Sequence, residues 1–396
     1  MLNPDSADMT MSKTTHNPDQ LMSDLRQLLS LGRKKIGILL GAGAPASICV
    51  NAAGEIVDTG GNPLIPTVVP LTKQVVDALE KKSRGIVDEI IGDLGGTPNI
   101  EQILSRVRAI SDSLGTKKIG VNGAADFSDT ALEICARLGS LANAVLPKSA
   151  NPYSELAGWI GGTRRDHPVE TFTTNYDQLL EQALERARIP FFDGFSGARE
   201  PFFDAATVAT DLLPSAWARV WKIHGSIGWE RNNEGEIVRV SGSAKSDLIY
   251  PTHLKYEQTQ KMPYSALVER LRKFLLTPDS LLLACGFSFA DSHIAAVLDE
   301  CLAANQATAL LAIQYQNLPS ESCARRIAQR RANASVYARD GAIINCVEGE
   351  WLLGDLPNPA WVAIRNTFWG KRDGPDEVFL LGDFKVFARY VALTRV

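Results

Sequence analysis

The chain has 396 residues, 45% of them hydrophobic and 22% charged, with a formal net charge of -4. These values exclude a disordered polymer, a collagen-like repeat and a small disulfide scaffold, and they leave apolar material for about two domains of ordinary size. The slight acidity gives no global pull toward nucleic acid, and no run approaches the roughly eighteen apolar residues of a membrane span.

In chain order, residues 1 to 17 read as a flexible polar leader, with Met9 and Met11 as alternative starts and no apolar core of a secretory signal. Leu21, Met22, Leu25, Leu28 and Leu29 recur at helical spacing within Asp19–Leu31. The run Ile36-Gly37-Ile38-Leu39-Leu40, closed by Gly41, has the continuous apolar character of a buried parallel strand. A polar loop with Gly and Pro follows, about Ala44 to Pro70. A helical block then fills about 71–150, with helices predicted over Leu71–Lys82, Gly85–Leu94, Ile100–Leu114 and Ser128–Leu146.

Strand character returns at Val169–Thr173, Ala218–Ile223, Leu281–Cys285, Thr308–Ile313 and Ala342–Cys346. Helices are predicted over Tyr176–Ala187, Tyr264–Leu276, Asp291–Ala304 and Ser320–Ala332. Strands alternating with helices imply an α/β fold with a mainly parallel sheet covered on both faces. The six cysteines are never closer than sixteen residues, which suits a reducing cytoplasm and gives no zinc-site spacing. Arg325, Arg326, Arg330 and Arg331 lie on a predicted helix and read as a solvated face rather than a nucleic-acid contact. Residues 347–396 concentrate aromatics, including Trp351, Trp361, Phe368 and Trp369, and suit either packing on the core or an oligomer or partner contact.

Four short constellations sit at predicted strand ends, where open α/β sheets place their ligand chemistry. In Gly41-Ala42-Gly43-Ala44 the glycines permit close backbone approach to a phosphate, or simply a tight turn. The third glycine of a full dinucleotide fingerprint is missing, and Ser47 stands near its place. In Thr173-Thr174-Asn175-Tyr176-Asp177 the carboxamide and carboxylate suit ribose hydroxyls and a positioned water, or a helix cap. Lys222-Ile223-His224-Gly225-Ser226 puts a histidine where a general base near neutral pH would stand. Of His16, His167, His224, His253 and His293, only His224 has this placement. Cys285-Gly286-Phe287-Ser288-Phe289 offers another glycine and a serine donor, while Asp291 reads as the cap of the next helix rather than a catalytic group.

Taken in this order, the four motifs resemble the sirtuin-like NAD-binding family over about residues 34–346, and within it the bacterial, zinc-free branch found in antiphage defence. Ile249-Tyr250-Pro251-Thr252-His253-Leu254-Lys255 and Leu381-Gly382-Asp383-Phe384 are similar to that branch too. The resemblance implies a Rossmann-like NAD-binding domain over 18–346, with the 71–150 block as a helical insertion after the first strand. It implies no zinc ribbon, since residues 227–284 contain no cysteine, and hence no acetyl-lysine groove of the deacetylase kind.

It further implies that Gly41, Ala42, Gly43, Ala44 and Ser47 hold the pyrophosphate of NAD. Thr174, Asn175 and Asp177 would engage the nicotinamide ribose, with Asn175 and Asp177 counted among the catalytic groups. His224, beside Gly225, would be the base, and Gly286, Phe287 and Ser288 would contact the adenosine half. Pro45 departs from the serine usual directly after Gly-Ala-Gly-Ala. The implied activity is hydrolysis of NAD+ to nicotinamide and ADP-ribose, with NAD as substrate, no metal, and NAD+ depletion on activation. ADP-ribosyl transfer and non-catalytic NAD or ADP-ribose sensing are the alternatives. A homo-oligomer, or a trans-acting partner such as a hexameric ATPase or a short Argonaute, would restrain it. Membrane and direct nucleic-acid binding are not expected.

Overall fold

The computed structural model describes residues 14–162, 165–240 and 262–394; the predicted Ile249–Lys255 motif lies outside them. The centre is a ten-stranded sheet. Its strands in chain order are β1 (Thr15–His16), β2 (Lys35–Leu40), β3 (Glu170–Thr173), β4 (Phe191–Phe192), β5 (Ala218–Lys222), β6 (Ser280–Cys285), β7 (Ala309–Ile313), β8 (Ala334–Tyr337), β9 (Gly341–Ile344) and β10 (Val347–Trp351). Across the sheet the order is β1-β10-β9-β8-β7-β6-β2-β3-β5-β4. From β8 to β4 every pairing is parallel, and β9 and β10 add an antiparallel hairpin.

The buried strands read as continuous apolar runs because both faces are covered. Ile36, Ile38 and Leu40 of β2 face the helices Pro18–Ser30, Pro152–Gly162, Leu179–Arg186 and Phe384–Ala392 in one core. Leu39, with Leu282 and Ala284 of β6, faces Tyr264–Leu276, Ser292–Ala304 and Cys323–Arg330 in the other. Gly37 is fixed by packing, since a Cβ there would lie 2.6 Å from the Phe274 ring.

Between β2 and β3 run the helices Val68–Asp77, Lys81–Leu94, Ile100–Leu114 and Ala124–Ala142, which share a separate apolar core. The third matches its predicted bounds because Asn99 and Gln102 form a reciprocal capping box. Ile227, from the loop after β5, and Tyr176, from the loop after β3, pack into that core.

Some expectations hold and others need correction. At the end of the predicted leader, Thr15 and His16 pair in parallel with Glu350 and Trp351, and the Asn17 side chain caps the first helix. Tyr176 to Gln178 are not helical, because Asp177 accepts the Leu179 N–H and starts the helix there. The helix predicted from Ser128 begins at Ala124, where Asp126 accepts the Gly123 N–H. Of the two readings open for the C-terminal aromatics, the structure shows packing on the core, with Trp361, Phe368, Phe379, Phe384, Phe387 and Tyr390 all buried there. The arginine cluster does lie at the surface, with Arg326 and Arg330 exposed; Arg330 and Arg331 pair with Asp299 at 2.7 and 2.8 Å, and Arg325 pairs with Glu348.

Candidate functional site

β2, β3, β5 and β6 are parallel, so the residues after each emerge at one edge of the sheet. The chain leaves β2 toward β3 and β5, then returns to place β6 on the other side of β2. That reversal is a topological switch point, where diverging connections leave a crevice beyond the strand ends. All four sequence constellations converge on it.

Two glycine turns meet back to back. The Gly41 N–H donates to the Cys285 carbonyl oxygen at 3.3 Å, and the Gly43 N–H to that of Gly286 at 2.9 Å. A Cβ on Gly41 would sit 2.5 Å from the Gly286 oxygen, and Gly286 itself has φ +66° with a Cβ site 2.7 Å from the Ala44 nitrogen. Both glycines are therefore demanded by loop-on-loop contact, and the amides of Gly41 and Gly43 are committed to it. Ala44 is wholly buried, and the Ser47 hydroxyl donates to the Ala44 carbonyl oxygen at 2.8 Å, closing the turn that contains Pro45.

The loop after β3 is pinned to the loop after β2. The Thr173 hydroxyl donates to the Leu40 carbonyl oxygen at 3.0 Å and accepts the Asn175 N–H at 3.0 Å. The Asn175 carboxamide then donates through Nδ2 to the Gly41 carbonyl oxygen at 3.0 Å. Asp177 is buried, with Oδ1 accepting the Leu179 N–H at 3.0 Å. Burial raises the proton affinity of its carboxyl, and the nearby Lys222 ammonium opposes that. Lys222, also buried, donates to the Asp177 carbonyl oxygen and lies 3.4 Å from Glu181.

His224 follows β5 on a turn whose Gly225 has φ +88°. Its Nε2 lies 3.0 Å from Oδ2 of Asp291, and both side chains are largely enclosed. Asp291 also caps the helix Ser292–Ala304, with Oδ1 accepting the His293 and Ile294 N–H groups at 2.9 and 3.3 Å. The capping role was readable in the sequence. The contact with His224 was not, because it joins loops from strands that are not neighbours in the sheet.

These groups line one cavity of about 890 Å³, within the roughly 300–1,000 Å³ of ordinary small-molecule sites. Gly41, Ala42, Gly43, Thr174, Asn175, Asp177, His224, Gly286, Phe287, Ser288 and Asp291 all contribute to its wall. Ala44, Ser47 and Gly225 do not reach it; they shape the turns behind it. The helical block supplies the opposite wall, including Asn99, Glu101, Gln102 and Ser105. There the Tyr176 hydroxyl bonds the Glu101 carboxylate at 3.2 Å. At the β7 end Tyr315 also lines the cavity, and the Arg372 guanidinium stacks over its ring at 4.1 Å. Cys285 is buried, and burial pushes its thiol well above its ordinary range, so it is no nucleophile.

Fold and site together define a mixed α/β protein with a large, mainly parallel sheet and a ligand-sized crevice at its switch point. Residues 169–335 match the family model of the SIR2-like domain, which supports a sirtuin-like family and an NAD-related activity. No curated protein matches the chain. Among the described residues no group of three or more His, Cys, Asp or Glu is gathered as a metal site, and no helix is long and apolar enough to cross a membrane.

Proposed function

We propose that the cavity binds NAD+ and that the chain hydrolyses the nicotinamide–ribose bond, releasing nicotinamide and ADP-ribose. The observation that carries this reading is the shared cavity: the carboxamide of Asn175, the imidazole of His224 and the two glycine turns all face one space of dinucleotide scale. In this reading the pyrophosphate lies along the cavity side of the Gly41–Gly43 turn, the nicotinamide ribose over the β3 and β5 ends, and the adenosine toward Gly286 and Ser288. Because the amides of Gly41 and Gly43 are already bonded, the glycines serve by letting the turn pack against Gly286 rather than by donating.

Cleavage breaks the bond between the ribose C1′ and the pyridinium nitrogen, and its electron pair leaves with neutral nicotinamide. Positive charge grows on the ribose, so a site that fixes the sugar and one water lowers the barrier. Asn175 orients the ribose and the water, and His224 takes the water proton as the new C1′–O bond forms. Asp177, whose Oδ1 accepts the Leu179 N–H, supports the loop carrying Asn175. Transfer of ADP-ribose to a macromolecule would use the same residues with another acceptor.

The biological role we propose is that of a cytoplasmic antiphage effector that depletes NAD+ when activated, restrained by self-assembly or by a separate partner such as a hexameric ATPase or a short Argonaute. Purified protein incubated with adenine-labelled NAD+ tests the activity. Free nicotinamide and free ADP-ribose are expected, and both are expected to vanish in Asn175→Ala and His224→Ala. Label retained on protein or nucleic acid would instead mean transfer, and intact NAD+ that stays bound would mean sensing. Repeating the assay with the product of the adjacent gene tests the restraint.

A further inference from the structure

The imidazole of His224 has two nitrogens, and only one of them can accept a proton in the neutral ring. Nε2 lies 3.0 Å from the Asp291 carboxylate oxygen Oδ2. An ionised carboxylate is an acceptor only, so the pair requires a proton on Nε2. The lone pair of the neutral ring then sits on Nδ1. Asp291 is itself immobilised, because its other oxygen holds the first N–H groups of the helix Ser292–Ala304. That helix packs into the second core through Ile294, Val297, Leu298, Cys301 and Leu302. The carboxylate is thus aimed by a rigid element.

We infer that Asp291 is a positioning residue that fixes the tautomer of His224, so that Nδ1, and not Nε2, is the atom that accepts the proton from the attacking water. The inference deepens the proposed NAD+ cleavage and rests on it for the proton's source. In the step, the water oxygen bonds to the ribose C1′, one water proton passes to Nδ1, and the electron pair of the broken C1′–N bond goes to nicotinamide. His224 becomes an imidazolium with both nitrogens donating, stabilised by the carboxylate on Nε2. The arrangement also gives one aspartate two duties that different substitutions separate.

Asparagine caps a helix as well as aspartate does, so Asp291→Asn keeps the helix start. Its amide nitrogen then faces Nε2 as a donor and stabilises the opposite tautomer, with the proton on Nδ1. Loss of the tautomer at a catalytic histidine lowers turnover by about 10⁴-fold where the same swap leaves geometry intact. For Asp291→Asn we expect kcat to fall between about 10² and 10⁴-fold with little change in KM. Asp291→Ser keeps a cap oxygen but imposes no tautomer, and is expected to lose less turnover than Asp291→Asn.

The deciding measurement is long-range proton–nitrogen NMR of ¹⁵N-histidine-labelled protein near pH 8 without substrate, with His224→Gln assigning the resonance. The wild type is expected to show the Nε2–H form and Asp291→Asn the Nδ1–H form. A wild-type Nδ1–H ring, or full turnover in Asp291→Asn, overturns the inference. Absence of NAD+ cleavage in the wild type overturns the proton-transfer role and the proposed function together. The NMR result, obtained without NAD+, reports separately on whether Asp291 holds the tautomer.

Discussion

The Asn175 carboxamide donates from Nδ2 to the Gly41 carbonyl oxygen at 3.0 Å, tying the loop after β3 to the glycine turn after β2. One bond thus fixes both sides of the cavity floor. It also decides the orientation of the amide: with Nδ2 committed to Gly41, Oδ1 is the side-chain atom that can accept a further hydrogen bond.

Asn175→Ala removes that bond and the orienting oxygen at once. We expect NAD+ cleavage to fall by at least about 10²-fold, the usual effect of losing positioning at a reacting centre. Stability should drop by only about 1 kcal/mol, the net worth of one hydrogen bond. Asn175→Asp is expected to be the less stable variant, since it sets a carboxylate oxygen against the Gly41 carbonyl. Urea unfolding of both proteins alongside product assays separates the two effects.

Gly286→Ala strikes the contact between the turns. Its φ of +66° disfavours any side chain, and the new Cβ would lie 2.7 Å from the Ala44 nitrogen and 3.0 Å from the Gly43 carbonyl carbon, both backbone atoms. A cost of about 1–3 kcal/mol follows from such strain. The midpoint of urea unfolding should fall with the slope unchanged, and activity should fall further than the unfolded fraction accounts for, because Gly41 and Gly43 are displaced with it.

Tyr176 links sheet and helical block through its bond to Glu101. Tyr176→Phe keeps the ring packed and removes the hydroxyl, a loss of about 1 kcal/mol or some five-fold in an affinity. The expected result is a KM for NAD+ raised by about that factor with kcat little changed, measured by initial-rate kinetics. An unchanged KM would mean that the helical wall does not shape the substrate site.

Far from the site, Asp211 sits beside Arg270 and Lys273 at 2.6 and 3.1 Å. Burial alone would raise its carboxyl, yet the guanidinium and the ammonium outweigh it and hold the carboxyl at about 2. A depressed folded-state value means that the unfolded chain takes up the proton first as acid is added. The stabilisation is therefore complete above pH 3.8, the ordinary value, and disappears as pH falls from there through about 2. Melting curves of wild type and Asp211→Asn should differ at neutral pH and converge at the acid end of that window. Differences that persist unchanged below it would overturn the assignment.

The strand-end motifs were legible because glycine, asparagine and histidine after short apolar runs carry local signals. Tyr264–Leu276 was legible from its apolar periodicity, and Ile100–Leu114 from periodicity together with its Asn99–Gln102 cap, all signals that lie within a few residues of each other. Pro152–Gly162 escaped notice because it is apolar nearly all round, with Tyr153, Leu156, Ala157, Trp159 and Ile160 buried, so no amphipathic period marks it. The short strands β8 and β10 escaped because they are defined by partners. Ala334–Tyr337 pairs with β7 and β9, and Val347–Trp351 is mostly exposed and held by the hairpin and by Thr15–His16.

What the sequence alone determined is which segments become buried parallel strands and which small and polar residues follow them, since both depend on neighbours along the chain. The tertiary structure alone decided that Asp291 meets His224, that the Gly41 and Gly43 amides are taken by the Cys285 and Gly286 carbonyls, and that Glu101 closes the far wall through Tyr176. Each of those is a contact between loops brought together by strand order, and strand order is set by the packing of whole helices on the sheet, which no local pattern encodes.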